Sequence, residues 1–235
     1  DLTIHADIKQ TLNDVIDRLQ HETVDKKQLD DISEYKSDIE QRATSEGNSI
    51  FQAEFSLVKA FFEKMNSVFP EGITVFDDNI IFAQNLLQVS TKNRFYPNAG
   101  ISSLGHAIPA AIGAQFSQRS TMFAIIGDGG FQMCCMEIMT AVNYDIPLNI
   151  ILFNNSSMGL IRKNQVQSYD NRFIDCDFIN PDYATLAQSF GINHVLIESE
   201  SRLDTMFQET DFDNGINLIE IVIDKDAFPN YSSRR

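Results

Sequence analysis

Two hydrophobic patterns alternate along the chain from Asn48 to its end. Short apolar runs are bounded by turn residues, and longer amphipathic stretches lie between them. The runs predict strands at residues 73–76, 94–96, 122–126, 149–153, 194–197 and 217–223. The stretches between them predict helices at residues 55–69, 79–89, 105–116, 131–143 and 182–190. This alternation predicts an α/β fold: a doubly wound, mostly parallel sheet of about six strands with helices on both faces.

The first 48 residues follow a different pattern. One face of a predicted helix carries Ile8, Leu12, Val15, Ile16 and Leu19. Residues 20–47 are rich in charge and poor in apolar side chains, which is typical of a solvated helix or a linker. We therefore expect residues 1–48 to be separate from an α/β domain at residues 49–235.

Composition narrows the class of protein. The net charge of −15 argues against nucleic acid or an anionic membrane as a partner. Neither a signal-peptide pattern at the start nor an apolar run of about 18 residues is present. The cysteines at 134, 135 and 176 lack metal-ligand spacing, so we interpret them as small buried hydrophobes in a reducing cytoplasm. A cytoplasmic location is therefore expected.

Two polar loops carry the candidate chemistry. Gly127-Asp128-Gly129-Gly130 follows the apolar run at 122–126 and precedes an amphipathic stretch, and such a glycine turn at a helix N-terminus suits an anion. Asn154-Asn155 ends the next predicted strand, so both loops belong to one edge of the sheet. Asp128 and Asn155 offer the hard oxygen ligands that Mg²⁺ prefers. Each loop alone is also an ordinary turn or strand end, but together they predict a diphosphate held through a divalent metal.

The spaced pair Gly127-Asp128-Gly129 and Asn154-Asn155 resembles the cofactor motif of thiamine diphosphate (ThDP) enzymes. Further stretches resemble acetolactate synthases, at residues 98–114, 127–133, 158–165 and 181–192. The resemblance covers about residues 49–235 and implies the ThDP-binding fold. It also implies that residues 49–235 are a C-terminal domain for diphosphate and Mg²⁺. Residues 1–48 would be the tail of a preceding middle domain plus a helical linker, with the crossing at 29–43.

The same resemblance assigns roles to particular residues. The side chains of Asp128 and Asn155 and the backbone carbonyl of Ser157 would bind Mg²⁺. The cofactor would lie against Gly127, Gly129, Gly130, Phe131 and Met158, and backbone N–H groups of Gly129, Gly130 and Phe131 would meet its diphosphate. The family usually has Ser or Ala where this chain has Gly130, so a hydroxyl contact is missing here.

Two further residues would contact the cofactor near its reacting carbon. Leu104 aligns with the bulky apolar residue that wedges between the two cofactor rings, where the synthases have Met, a side chain of similar volume. The carbonyl of Ser102 would accept a hydrogen bond from the aminopyrimidine amino group. Both therefore count as candidate catalytic residues.

The resemblance also implies properties of the whole enzyme. It would be a decarboxylating carboligase that acts on a 2-oxoacid such as pyruvate, and in some synthases a middle domain also holds FAD. The activating Glu belongs to an N-terminal pyrimidine domain from a second subunit, so a homo-oligomer is expected. Nothing in this chain resembles that domain, and we expect the fragment to be inactive alone.

Several alternatives stay open. Asn164 stands where acetolactate synthases place Trp, and the surrounding pattern also resembles glyoxylate carboligases. A 2-oxoacid decarboxylase and a non-catalytic assembly module that retains the fold are further alternatives. For Arg162 and Lys163 a solvated helix face is favoured over contact with a substrate carboxylate.

The histidines give little functional signal. His106, two residues past the candidate wedge, is expected to be packed or solvent-exposed rather than to face substrate. His5, His21 and His194 have no partner cluster in the sequence, so we interpret them as surface or packing residues.

Overall fold

The structure is a computed structural model that describes residues 7–19, residues 30, 31, 33–35, 37–39 and 41, and residues 50–69, 71–88 and 91–230. The chain divides into two compact units, Asp1–Glu46 and Gly47–Arg235. In the described residues, no helix has the length and apolar character needed to cross a membrane.

The first unit contains helix α1, Ile8–Leu19. Asp7 caps it, because its Oδ1 accepts a hydrogen bond from the Gln10 N–H at 3.0 Å. The apolar face predicted for this helix is exposed at Ile8, Leu12, Val15 and Ile16. The described residues of the predicted crossing at 29–43 are helical and exposed, whereas His5 and His21 lie outside the described residues.

The second unit is built on one fully parallel sheet. Its strands are β1 Thr74–Asp77, β2 Arg94–Tyr96, β3 Met122–Gly127, β4 Leu148–Asn154, β5 Asn193–Ile197 and β6 Ile216–Val222. Their order is β2-β1-β3-β4-β6-β5, and every pairing is parallel. The predicted fold class is confirmed, and each strand begins and ends within one residue of its predicted position.

In the described residues, eight helices of the second unit accompany these strands, and the first of them precedes β1. They are α2 Ser56–Val68, α3 Ile81–Leu86, α4 Ala107–Ser117, α5 Asp128–Cys134, α6 Ile138–Asn143, α7 Gly159–Ser168, α8 Tyr183–Phe190 and α9 Ser201–Glu209. The single helix predicted at 131–143 is wrong in detail. The observed helix α5 begins earlier, at Asp128, whose carboxylate suits a first turn. It ends at Cys134, where φ is −136°, and a 3₁₀ turn at Cys135–Glu137 separates it from α6.

Two hydrophobic cores lie on opposite faces of the sheet. Side chains alternate along each strand, so Phe123 and Ile125 face one core while Ala124 and Ile126 face the other. Helices α2, α3 and α9 cover the first core, and α4, α5, α6 and α8 cover the second. Burial on both faces explains why the four central strands β1, β3, β4 and β6 are mostly apolar in sequence.

The strand order places the polar loops together. After β1 the chain forms β2 on one side and then β3 on the other side of β1, which makes a topological switch point between β1 and β3. Ligands of open α/β sheets bind outside the carboxyl ends of strands at such a point. Asp77, Asp128 and Asn154 stand at the carboxyl ends of β1, β3 and β4.

The cysteines largely follow the prediction of small buried side chains. Cys134 and Cys176 are buried, and burial raises the pKa of the Cys134 thiol to about 12. Cys135 is only half-buried, because it begins the 3₁₀ turn that interrupts the helix.

Candidate functional site

The Asp128 carboxylate joins the two polar loops. It is 1% exposed, and its Oδ2 accepts hydrogen bonds from the backbone N–H groups of Asn155 at 3.1 Å and Ser156 at 2.5 Å. The side-chain amide of Asn180 donates to the same oxygen at 2.8 Å. Oδ1 accepts one bond, from the Gly129 N–H at 2.9 Å. Burial raises the pKa of Asp128 above the usual carboxyl value, and these donors oppose that rise.

The donor set around Asp128 fits a metal cation. Its four hydrogen-bond donors are neutral amides, and within the described parts of the chain no Lys, Arg or His forms an ion pair with it. A buried carboxylate without a cationic partner is costly unless a cation is bound. Oδ2 already accepts three bonds, so Oδ1 retains more lone-pair capacity for a metal.

The Asn155 loop has a constrained backbone. Asn155 Oδ1 accepts from the Ser157 N–H at 3.2 Å, and Ser156 between them has φ 53°, in the left-handed region. Such a conformation costs about 1–2 kcal/mol for a residue other than glycine. It persists because the surrounding hydrogen bonds fix the loop, as is common at functional sites.

A neighbouring segment holds the same loop from outside. Ser157 forms an isolated antiparallel bridge with Asp177. The Met158 N–H and the Ser157 hydroxyl both donate to the Cys176 carbonyl, at 2.7 and 2.9 Å. The Phe178 N–H donates to the Ser156 carbonyl at 3.1 Å. The two candidate metal ligands of this loop, Asn155 and Ser157, therefore lie on backbone that is fixed from two sides.

The glycines after Asp128 permit close packing that a side chain would prevent. A Cβ at Gly129 would lie 2.5 Å from Met158 Sδ, and a Cβ at Gly130 would lie 2.2 Å from Asp78 Oδ2. Both glycines belong to the first turn of α5, whose N–H groups lack helical acceptors. The Gly129 N–H is directed at Asp128, so the predicted diphosphate contact applies most simply to Gly130 and Phe131.

Asp78 is a site residue that the sequence reasoning missed. It follows β1, is fully buried, and accepts hydrogen bonds from the backbone N–H groups of Gly105 at 2.8 Å, His106 at 2.7 Å and Ala107 at 3.2 Å. These donors precede or begin α4, so the carboxylate caps that helix. The cap fixes the loop that carries Leu104.

The preceding residue, Asp77, is a second buried carboxylate. Its oxygens accept from the Ile80 N–H at 2.8 Å and from the Gln84 side-chain amide at 2.9 Å. Burial raises the pKa of Asp77 to about 6. The signal for both aspartates was present, because polar residues directly after a buried strand lie at the carboxyl edge of the sheet.

A cavity of about 350 Å³ lies between these loops. Nine residues with predicted site roles line it: Ser102, Leu104, Gly127, Asp128, Gly129, Gly130, Asn155, Ser157 and Met158. Phe131 does not line it, because its side chain is buried beneath the loop against Tyr183. The rest of the wall is largely apolar and includes Phe82, Leu160, Ile223 and Pro229. Polar oxygens and apolar surface thus share one cavity, a form suited to a cofactor.

The loop with Ser102 and Leu104 enters the cavity from the α4 side. Both residues are half-buried, and Ser102 has φ 56°. The Asn98 side-chain amide donates to the Ser103 carbonyl and fixes the loop further. The structure therefore brings the candidate wedge residue and the candidate metal ligands to the same cavity.

Other candidates lie away from the cavity wall. The favoured solvated position of Arg162 and Lys163 is wrong, because they are 6% and 1% exposed, and burial lowers the pKa of Lys163. His106 and Asn164 are exposed. His194 is a packing residue, with Nε2 at 2.9 Å from Glu220 Oε2.

Comparison with known proteins places this site in a family context. Residues 79–221 match the family described as thiamine pyrophosphate enzyme, C-terminal TPP binding domain. The catalytic subunit of mitochondrial acetolactate synthase from Saccharomyces cerevisiae is 31% identical over 132 residues, which are 56% of this chain and 19% of the yeast protein. The acetolactate synthase large subunit of Lactococcus lactis is 34% identical over 54% of this chain and 22% of its own length.

A longer match and a solved structure agree with this context. A 3D-(3,5/4)-trihydroxycyclohexane-1,2-dione hydrolase from Listeria innocua is 26% identical over 88% of this chain and 34% of its own length. The crystal structure of benzoylformate decarboxylase from Polynucleobacter necessarius shares the fold, with a TM-score of 0.64 and 20% identity over 76% of this chain and 34% of that one. The chain thus spans between about a fifth and a third of these proteins.

Proposed function

This chain belongs to the family of C-terminal TPP-binding domains of thiamine pyrophosphate enzymes, and we propose that it binds ThDP through Mg²⁺ within a decarboxylating carboligase similar to acetolactate synthase. One observation carries the proposal. The buried Asp128 carboxylate ties the glycine loop to the Asn155 loop with neutral donors alone, beside a cavity of about 350 Å³.

We assign the metal site to three oxygen atoms. They are Asp128 Oδ1, Asn155 Oδ1 and the backbone carbonyl oxygen of Ser157. Magnesium usually binds few protein oxygens and completes its coordination with phosphate and water. The first-turn N–H groups of α5, at Gly130 and Phe131, would then meet the diphosphate.

The remaining cavity residues would position the rest of the cofactor. Gly127, Gly129 and Met158 line the cavity and would contact the cofactor. Leu104 would wedge between the two cofactor rings, and the Ser102 carbonyl would accept a hydrogen bond from the cofactor's amino group. When bound, ThDP supplies the electron sink for decarboxylation of a 2-oxoacid such as pyruvate. The apolar wall formed by residues such as Phe82 and Leu160 would exclude water from that chemistry.

The whole protein would supply the parts that this chain lacks. The chain covers only about a fifth of the synthases it matches, so we assign residues 1–48 to the end of a middle domain and a linker. A pyrimidine domain from a second subunit would complete the site, which makes the enzyme a homo-oligomer. FAD, where present, would belong to the middle domain. The three free thiols support a cytoplasmic location.

An alternative acceptor chemistry has one specific observation behind it. Asn164 is exposed and does not line the cavity, whereas the resembled synthases place Trp at this position. A decarboxylase or a glyoxylate carboligase-like enzyme would need no such residue. In both cases the cofactor site described above is the same.

Product analysis of the full-length protein with pyruvate tests the proposal. Acetolactate supports the carboligase, and acetaldehyde supports the decarboxylase. With glyoxylate, a condensed product supports the glyoxylate carboligase. No ThDP-dependent consumption of any 2-oxoacid would contradict the proposed enzyme and favour an assembly module. The isolated 235-residue chain should show no turnover, because the activating Glu lies in another domain.

A further inference from the structure

A single buried guanidinium links three separate segments of the second unit. Arg162 Nη1 donates to both carboxylate oxygens of Asp177, at 3.0 and 2.8 Å, and Nη2 donates to Asp226 Oδ1 at 2.6 Å. The guanidinium carbon lies 3.8 Å from the centre of the Phe173 ring. The Arg162 side chain is 7% exposed, whereas those of Asp177 and Asp226 are 42% and 59% exposed.

Each carboxylate belongs to a segment that shapes the cavity. Asp177 forms the bridge with Ser157 in the Asn155 loop. We call this loop the metal loop below, because it carries two of the candidate metal ligands. Asp226 lies in the stretch after β6, where Ile223, Ala227 and Pro229 line the cavity. We propose that Arg162 is a positioning residue that holds the metal loop and the 223–229 wall in place through these two carboxylates.

The chemistry of arginine suits this role. Its planar guanidinium offers donors in a fixed fork, so it can bind one carboxylate with two bonds and still donate to a second. A lysine ammonium is a point charge and cannot reproduce this geometry. Phe173 covers one face of the plane and adds a cation–π contact, which leaves the edges for the two carboxylates.

We call Arg162 with its two carboxylates the clamp, and its bonds to Asp177 and to Asp226 the two arms. Loss of one arm should have different consequences from loss of the other. The effect of the two arms on cofactor binding rests on the function proposed above, whereas the existence of the clamp does not depend on that function. Loss of the Asp177 arm should loosen the metal loop and so weaken the response to Mg²⁺. Loss of the Asp226 arm should loosen the apolar wall and weaken ThDP binding at saturating Mg²⁺.

Hydrogen exchange resolved to single amides tests the clamp without any ligand. In the 223–230 stretch, the Ala227 N–H bonds to the Asp224 carbonyl at 3.1 Å. In the metal loop, the Met158 N–H bonds to the Cys176 carbonyl at 2.7 Å. Asp226→Asn should speed exchange at Ala227 about three- to tenfold and spare Met158, since only one arm is lost. Asp177→Asn should speed exchange at Met158 and spare Ala227.

Two further variants separate geometry from charge. Arg162→Lys should speed exchange at both amides, because the ammonium cannot serve both carboxylates. Lys225→Met is the matched control. This residue lies next to Asp226 but is 47% exposed, with its ammonium 3.8 Å from Asp177, so its loss should change neither amide by more than about twofold.

The exchange pattern decides the proposal. Equal rates in Asp226→Asn and wild type at Ala227, or identical changes at both amides in the two Asp variants, would overturn the clamp. In the full-length protein, unchanged ThDP affinity in Asp226→Asn and unchanged Mg²⁺ dependence in Asp177→Asn would overturn its role at the cofactor site. A wild-type protein that binds no ThDP would refute the proposed function, and the exchange rates would still decide the clamp.

Discussion

Replacement of Gly130 by alanine should destabilise the protein although the residue lies in a helix. The added Cβ would lie 2.2 Å from Asp78 Oδ2, and real Cβ contacts below 3.0 Å essentially never occur. The carboxylate oxygen must therefore move by at least 0.8 Å, the difference between these two distances. It cannot move freely, because Asp78 is fully buried and accepts three backbone hydrogen bonds.

The structure sets the size of the effect. A shift of that size would remove the bond from the Gly105 N–H, now 2.8 Å long, and a bond to a buried charged group contributes about 1.5–3 kcal/mol. Alanine in a helix offsets about 1 kcal/mol of this loss. Residual overlap with the fixed neighbours adds to it, so the net destabilisation should be about 1–3 kcal/mol.

Urea unfolding of wild type and five variants isolates the contact between position 130 and Asp78. Asp78→Ser keeps an oxygen acceptor for the start of α4 but vacates the space beside Gly130. In that background Gly130→Ala should become neutral or stabilising, which gives a coupling energy of at least about 1 kcal/mol in a double-mutant cycle. Gly129→Ala is the matched control, because its Cβ would meet the flexible Met158 thioether at 2.5 Å. Gly113→Ala in α4 meets nothing within 4 Å and should stabilise the protein.

Two results would refute this reasoning. Equal stability of Gly130→Ala and wild type would mean that the Asp78 carboxylate is not fixed. An equal loss of stability on Gly130→Ala in wild type and in the Asp78→Ser background would mean that another neighbour obstructs the added Cβ. If the reasoning holds, Gly130 is required by Asp78, which explains why Ser or Ala does not occur at this position in this chain.

Three more substitutions test the site. Asp77 has a folded-state pKa of about 6, above the ordinary value of 3.8, so its contribution to stability is full at low pH and is lost as the pH rises through 6. Lowering the pH from 7.5 to 5.5 should therefore stabilise wild type relative to Asp77→Asn by about 0.8 kcal/mol in urea unfolding. Equal pH profiles of the two proteins would contradict the raised pKa. Asn180→Ala removes a donor to Asp128 Oδ2 and should raise the Mg²⁺ concentration needed for ThDP binding about 10–100-fold; an unchanged requirement would show that Asn180 does not orient the ligand. Leu104→Ala should lower kcat of the full-length enzyme far more than it weakens ThDP binding, because the wedge sets cofactor shape rather than anchoring; equal losses would contradict that role.

Much of the fold could be predicted because its four central strands are buried on both faces. A strand such as β4, whose residues from Leu148 to Phe153 are all buried, is read from a continuous apolar run. The site loops were found because their residues are adjacent in sequence to those strands. Asp128 and Asn155 needed only the rule that neighbouring parallel strands end at one edge.

The rest of the site depends on contacts that local sequence does not encode. Arg162 is buried because Asp177 and Asp226, 15 and 64 residues away, fold back onto it. Asn180 reaches Asp128 from 52 residues away in the chain. Asp78 was accessible to the same strand-end rule, but its role as a cap of α4 required the spatial position of that helix.

Calorimetric titration of the full-length protein with ThDP tests the central claim most directly. Wild type is compared at saturating Mg²⁺ and in EDTA, beside Asp128→Asn, which keeps the size of the side chain but removes its charge. We expect tight ThDP binding with Mg²⁺, and an affinity at least about 100-fold weaker in EDTA or in Asp128→Asn. Equal affinity under all three conditions would contradict a diphosphate held through a metal at Asp128.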